Sequence, residues 1–272
     1  MRFKAVGERY GAAWKAAHAF VLAMSVALQI KVQNANAQEA AMPPLSPSCR
    51  APADDIATPA PLPHLTAALR SGRPIRVLAI GSSSTVGVGA SSPAKNYPAQ
   101  LEAILERTFR NLDVVVVNRG VSGEVAAQTA ERFKREVAES RPDLVLWQVG
   151  TNDALARVPV EAFKSVVRDA LQWLKGQAVD TVLIGLQYSP RVARDDSATA
   201  IRRAIRGLAV EEGVLLVRRF EAMRFIANAK EGELLSADDL HQNDLGYRCM
   251  AEHIARALVI SALSPTTTVA RP

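Results

Sequence analysis

One turn and one polar loop hold the residue types from which a nucleophilic site is built. Gly81-Ser82-Ser83-Ser84-Thr85-Val86-Gly87 sets four hydroxyls between glycines directly after an apolar run. Glycine tolerates the tight backbone geometry that exposes such a turn. A serine hydroxyl is a poor nucleophile at neutral pH and needs a histidine to take its proton. Beyond residue 37 the histidines are His64, His241 and His253. His64 lies in a proline-rich stretch. His253 adjoins Met250, Ile254 and Leu258 on the apolar face of the last helical pattern, where a structural role is expected. His241 differs, because it stands in the polar run 236–247 that precedes that helix. Asp238 comes three residues before it, so one compact turn brings the carboxylate to the imidazole, where it accepts from Nδ1–H and fixes the tautomer. Asp239 is the fallback carboxylate, and Asp244 is expected to cap the last helix.

Acyl transfer places negative charge on a carbonyl oxygen, so hydrogen-bond donors must already face that position. Gly120 with its backbone N–H, Asn152 with its side-chain amide and Ser83 with its own N–H are the candidate donors. Rival chemistries fit less well. No lysine follows Gly87 as a phosphate-gripping loop requires, and Gly87-Val88-Gly89 lacks the third glycine of a dinucleotide fingerprint. Thr85 occupies the final glycine position of a Gly-x-Ser-x-Gly elbow.

The elements that must position these residues alternate in type. Apolar β-type runs at 75–80, 114–117, 144–149, 181–186 and 214–217 predict five strands. Between them Tyr97, Leu101, Ile104, Leu105 and Phe109 mark one helical face, Phe163, Val166, Val167, Ala170, Leu171 and Leu174 another, and Ile201, Ala204, Ile205 and Leu208 a third. Strands without polar alternation are covered on both sides, and parallel neighbours need helical crossovers. The pattern therefore predicts a five-stranded parallel sheet between helix layers. Ligands in such folds bind beyond the carboxyl ends of the strands. The polar groups Gly81 to Ser84, Asn118 to Gly120 and Gly150 to Asp153 all fall there.

Gly81-Ser82-Ser83-Ser84-Thr85, Asn118-Arg119-Gly120-Val121-Ser122-Gly123, Gly150-Thr151-Asn152-Asp153 and Asp238-Asp239-Leu240-His241, in that order, resemble the four blocks of the SGNH (GDSL-type) hydrolases. The resemblance spans residues 75 to about 260. It places the family's serine, glycine, asparagine and histidine on Ser83, Gly120, Asn152 and His241, and selects Ser83 over Ser82 and Ser84. It implies an α/β fold of the flavodoxin-like α/β/α sandwich type, hydrolysis of esters without metal or cofactor, and Asp238 as the third triad member. Ser82 stands where the family has an aspartate, which leaves open what supports the nucleophile turn.

Composition limits the remaining choices. The chain has 272 residues, is 49% hydrophobic, and carries 33 basic against 27 acidic residues. Residues 1–37 contain Arg2, Lys4, Arg9, Lys15 and Lys31 against Glu8 alone, leaving 28 basic and 26 acidic residues in the remainder. That balance gives no basic face for nucleic acid. The basic start, the apolar run 16–30 and Ala35-Asn36-Ala37 predict an export signal cleaved after Ala37, with an uncleaved anchor as the competing reading. Removal leaves no stable membrane span and a periplasmic or secreted protein. Residues 38–70, rich in Pro and Ala, are expected to form a linker, 71–264 the hydrolase domain and 265–272 a flexible tail. An oxidising compartment permits a Cys49 to Cys249 disulfide; equally, Cys249 is a small buried residue and Cys49 sits loose in the linker.

The expected function is an ester hydrolase acting on an O-acetylated saccharide or a short-chain acyl ester. Tyr188, Ser189, Pro190 and Arg191 are candidate pocket walls, while Tyr97 and Trp147 suit pocket or core alike. Transfer of the acyl group to an envelope sugar is the first alternative. A catalytically idle carbohydrate-binding domain is the second.

Overall fold

Five parallel strands form the centre of the molecule: β2 (Ile75–Gly81), β3 (Val114–Gly120), β4 (Leu144–Gln148), β5 (Asp180–Ile184) and β6 (Leu215–Val217). The computed structural model describes residues 42–263, apart from 111 and 231. Every residue of β4, β5 and β6 is buried, as expected for strands covered on both faces. A sixth strand, β1 (Ala57–Thr58), pairs antiparallel with β6, giving the order β1-β6-β5-β4-β2-β3. The sheet is therefore six-stranded rather than five-stranded. Two residues among prolines carry no alternation by which β1 is recognisable in sequence.

Seven longer helices cover the sheet: α1 (Pro63–Ser71), α2 (Tyr97–Thr108), α3 (Ala126–Ser140), α4 (Val160–Gly176), α5 (Asp196–Glu212), α6 (Arg219–Ala229) and α7 (Asp244–Leu263). Leu78, Ile80, Val145, Trp147 and Leu183 face α3, α4 and α5, whereas Val77, Ala79, Leu146 and Ile184 face α1, α2 and α7. Alternation along each strand thus feeds two cores, one per face. Trp147 meets Phe133 of α3 edge-on, with ring centroids 4.9 Å apart. Both Trp147 and Tyr97 are core residues.

β2 lies between β3 and β4, parallel to each. The chain leaves β2 towards β3 over one face and returns to β4 over the other. The crevice where these directions diverge is the site such sheets use for ligands.

The segment 43–71 is not a free tether. Cys49 forms a disulfide with Cys249 of α7, and both are buried. The Ser46 N–H and hydroxyl donate to the Glu252 carboxylate, and His253 Nε2 donates to the Cys49 carbonyl at 2.7 Å. Prolines begin structure here instead of preventing it: Pro63 opens α1, where its fixed φ and missing N–H cost nothing. Leu65 and Ala68 of α1 are buried, and the Leu65 N–H donates to Asp180. The predicted signal 1–37 and tail 265–272 lie outside the described residues.

Candidate active site

Ser83 follows β2 as the first residue of a single helical turn, Ser83–Val86, so its N–H has no partner within the helix. The turn is held from several sides. Ser82 donates through its N–H and its hydroxyl to Gln148 Oε1 at 2.9 and 3.0 Å. Gln148 ends β4 and so answers the question raised by the missing aspartate. Thr85 Oγ1 lies 3.3 Å from the Tyr97 hydroxyl, whose pKa burial pushes up to about 12, so that it stays protonated. Asn118 Nδ2 donates to the Thr85 carbonyl at 2.7 Å. Ser82 and Ser84 are buried, and Ser83 is partly exposed.

His241 arrives from the loop between α6 and α7. His241 Nε2 lies 2.9 Å from Ser83 Oγ, and His241 Nδ1 lies 2.5 Å from Asp238 Oδ2. The loop is self-braced: the Ser236 N–H donates to the His241 carbonyl, and the Asn243 N–H to the Leu234 carbonyl. Burial alone raises the pKa of Asp238. Hydrogen bonds from the His241 ring, the N–H groups of Leu240 and His241 and the Ser236 hydroxyl outweigh it, and hold the carboxyl well below the usual range. The carboxylate that meets the imidazole is therefore Asp238 and not Asp239. Asp244 is not the cap of α7. Asn243 takes that place by accepting from Gly246 N, and Asp244 accepts from the N–H and hydroxyl of Ser91.

The two expected donors outside the serine turn behave differently. Asn152, on the short helix Thr151–Leu155 after β4, donates from Nδ2 to the Glu124 carbonyl at 2.8 Å. An amide carries two N–H bonds, so a second donor remains. Gly120 departs from expectation. Its N–H is already given to Asn118 Oδ1 at 3.0 Å, and a Cβ there would lie 2.4 Å from Val86 N. Gly120 lets β3 press against the nucleophile turn. Gly123 is the glycine open to the loop, with φ +85° and nothing within 4 Å of its Cβ position. It directly precedes Glu124, the residue Asn152 contacts.

Other supports had little sequence signal. Arg219 is buried and donates to the Gly185 carbonyl, to Gln187 Oε1 at 2.6 Å and to Gln242 Oε1 at 3.4 Å. Gln187 also accepts from Thr151 Oγ1 at 2.8 Å. One guanidinium thus ties the end of β5 to the residue beside His241. Arg119 pairs with Glu136 at 2.8 Å. Among the described residues, no group of three or more His, Cys, Asp or Glu side chains is placed to hold a metal ion. Nor is any described helix long and apolar enough to cross a membrane.

A flavodoxin-like sheet with this serine, histidine and carboxylate beyond its strand ends defines a class, the SGNH-type ester hydrolases. The chain belongs to the Non-GDSL lipase-like family, whose model matches residues 48–264. It is 26% identical to an arylesterase of Vibrio mimicus over 120 residues, which cover 44% of this chain and 58% of the relative. It is 21% identical to an acetylxylan esterase of Geobacillus stearothermophilus over 191 residues, covering 65% of this chain and 84% of the relative. The fold resembles a crystal structure of a two-domain esterase active on acetylated mannans, co-crystallized with mannopentaose. There the TM-score is 0.65 and the identity 18%, over 78% of this chain and 58% of that one.

Proposed function

We propose that the protein is an exported, metal-independent serine esterase that removes short acyl groups, acetyl above all, from saccharide or other small alcohols. The observation that carries this reading is the continuous line from Ser83 Oγ through His241 to Asp238, with contacts of 2.9 and 2.5 Å. His241 Nε2 takes the Ser83 proton as Oγ attacks the ester carbonyl, and Asp238 stabilises the imidazolium that results. The Ser83 N–H, the free N–H of the Asn152 amide and the Gly123 N–H receive the oxyanion; Gly120 supports the turn instead. The imidazolium then protonates the departing alcohol. Water activated by the same histidine releases the acid from the acyl-enzyme.

Acetylated saccharides are favoured because a relative is an acetylxylan esterase and a fold neighbour acts on acetylated mannans. Export is supported by the buried Cys49–Cys249 disulfide, a bond that persists in oxidising compartments. The test is turnover of p-nitrophenyl acetate by Ser83→Ala. A loss of about a thousandfold or more is expected, with circular dichroism unchanged. Undiminished turnover in the folded variant would falsify the assignment.

A further inference from the structure

A cavity of about 800 Å³ opens beside the acid arm of the triad rather than over Ser83. Tyr188 and Pro190 beyond β5, Met223 of α6, and Leu234, Ser236 and Asp239 from the His241 loop form its walls. Ser236 joins it to the chemistry, since its hydroxyl also donates to Asp238 Oδ1 at 2.8 Å. The Tyr188 ring is fixed in advance, lying edge-on to Phe220 with centroids 5.3 Å apart. Phe220 is itself covered by the Arg202 guanidinium, 4.0 Å from its centroid.

The mechanism says which half of an ester lies on this side. His241 delivers a proton to the leaving alcohol, so the alcohol departs past the imidazole, and residues 236–241 form that flank. A space of this size falls within the roughly 300–1,000 Å³ of ligand sites and far exceeds an acetyl group. Its apolar and aromatic walls suit the C–H faces of a pyranose, while the Ser236 hydroxyl and the Asp239 carboxylate suit sugar hydroxyls. A carboxylate in the wall opposes a fatty acyl chain, which offers it no hydrogen bond.

We propose that this cavity is a subsite for the saccharide body of the leaving alcohol, so that the protein takes acetylated oligosaccharides in preference to isolated acetyl esters. The proposal rests on the esterase reading but is tested apart from it. Two variants probe the cavity: Tyr188→Ala removes the ring, and Ala227→Trp, on an exposed lining position of α6, fills the space without touching the core. Calorimetry with xylotetraose and mannotetraose on the Ser83→Ala protein measures binding without turnover. At least one sugar is expected to bind, and each cavity variant to weaken it about tenfold or more. With Ser83 intact, both variants should keep p-nitrophenyl acetate hydrolysis within about twofold of the parent. Absence of binding in the Ser83→Ala protein, or unchanged binding in Ala227→Trp, overturns the subsite. So does a selective loss of p-nitrophenyl esters with longer acyl chains, which would assign the cavity to the acyl group. Failure of the esterase reading shows elsewhere, as absent Ser83-dependent turnover of p-nitrophenyl acetate in the parent, and leaves the binding result standing.

Discussion

Asn152 donates an amide hydrogen to the Glu124 carbonyl at 2.8 Å, and that contact fixes the orientation of its side chain. Glu124 is itself fixed. Arg132 donates to both of its carboxylate oxygens, at 2.8 and 2.7 Å, and Thr129 Oγ1 adds a third bond at 2.9 Å. Arg132 also reaches the Arg119 carbonyl at 3.1 Å, so the loop carrying Gly123 is bound to α3 at both ends.

In the proposed mechanism Arg132 is therefore a positioning residue for the oxyanion donors. Arg132→Gln should lower kcat on an acetyl ester about tenfold to a hundredfold with little change in KM. Affinity for a boronic acid that mimics the tetrahedral intermediate should fall in parallel. Steady-state kinetics and inhibitor titration together check this, and a KM effect with kcat intact would point to substrate binding instead.

The two glycines of the 118–123 segment should fail in different ways. Gly120→Ala meets backbone at 2.4 Å, so it should depress the melting temperature by several degrees, about 2 kcal/mol of stability. Gly123→Ala has open space around it but an unfavourable φ of +85°. It should cost only about 1 kcal/mol of stability while reducing kcat about tenfold or more. Thermal melts paired with kinetics separate the two. A variant of Gly120 with normal stability and lost kcat would restore it as the donor.

His253 gives stability a pH dependence. Burial pushes its pKa below 6.5, aided by Arg256 and opposed by the Cys49 carbonyl and Glu252. Between the lowered value and 6.5 the unfolded chain binds a proton that the folded chain excludes, so stability falls as pH drops through that window and is fully retained above it. Thermal unfolding between about pH 7.5 and 5 should show this decline, and His253→Gln should flatten it. An identical slope in both proteins would assign the decline to other groups.

The parallel strands read directly from the sequence as uninterrupted Val, Leu and Ile runs, and in β4, β5 and β6 those runs are buried on both faces. The residues brought to Ser83 were legible for a related reason: unusual polar side chains fall where those runs stop. What escaped depends on distant partners. β1 forms only because β6 offers an edge, and the proline-rich segment is ordered because Cys49 finds Cys249, 200 residues away. Which glycine of the 118–123 segment is free depends on a side chain two residues earlier, Asn118, folding back onto the Gly120 N–H. Arg219 looks like a surface residue in sequence, and only the packing of β5, α6 and α7 shows it enclosed.

The most direct test of the account is covalent. A fluorophosphonate should label the protein once, and peptide mass mapping should place the adduct on Ser83. His241→Ala should slow labelling about a thousandfold or more, and Ser83→Ala should abolish it. An adduct on another serine, or labelling at full speed without His241, would contradict the roles assigned to this pair.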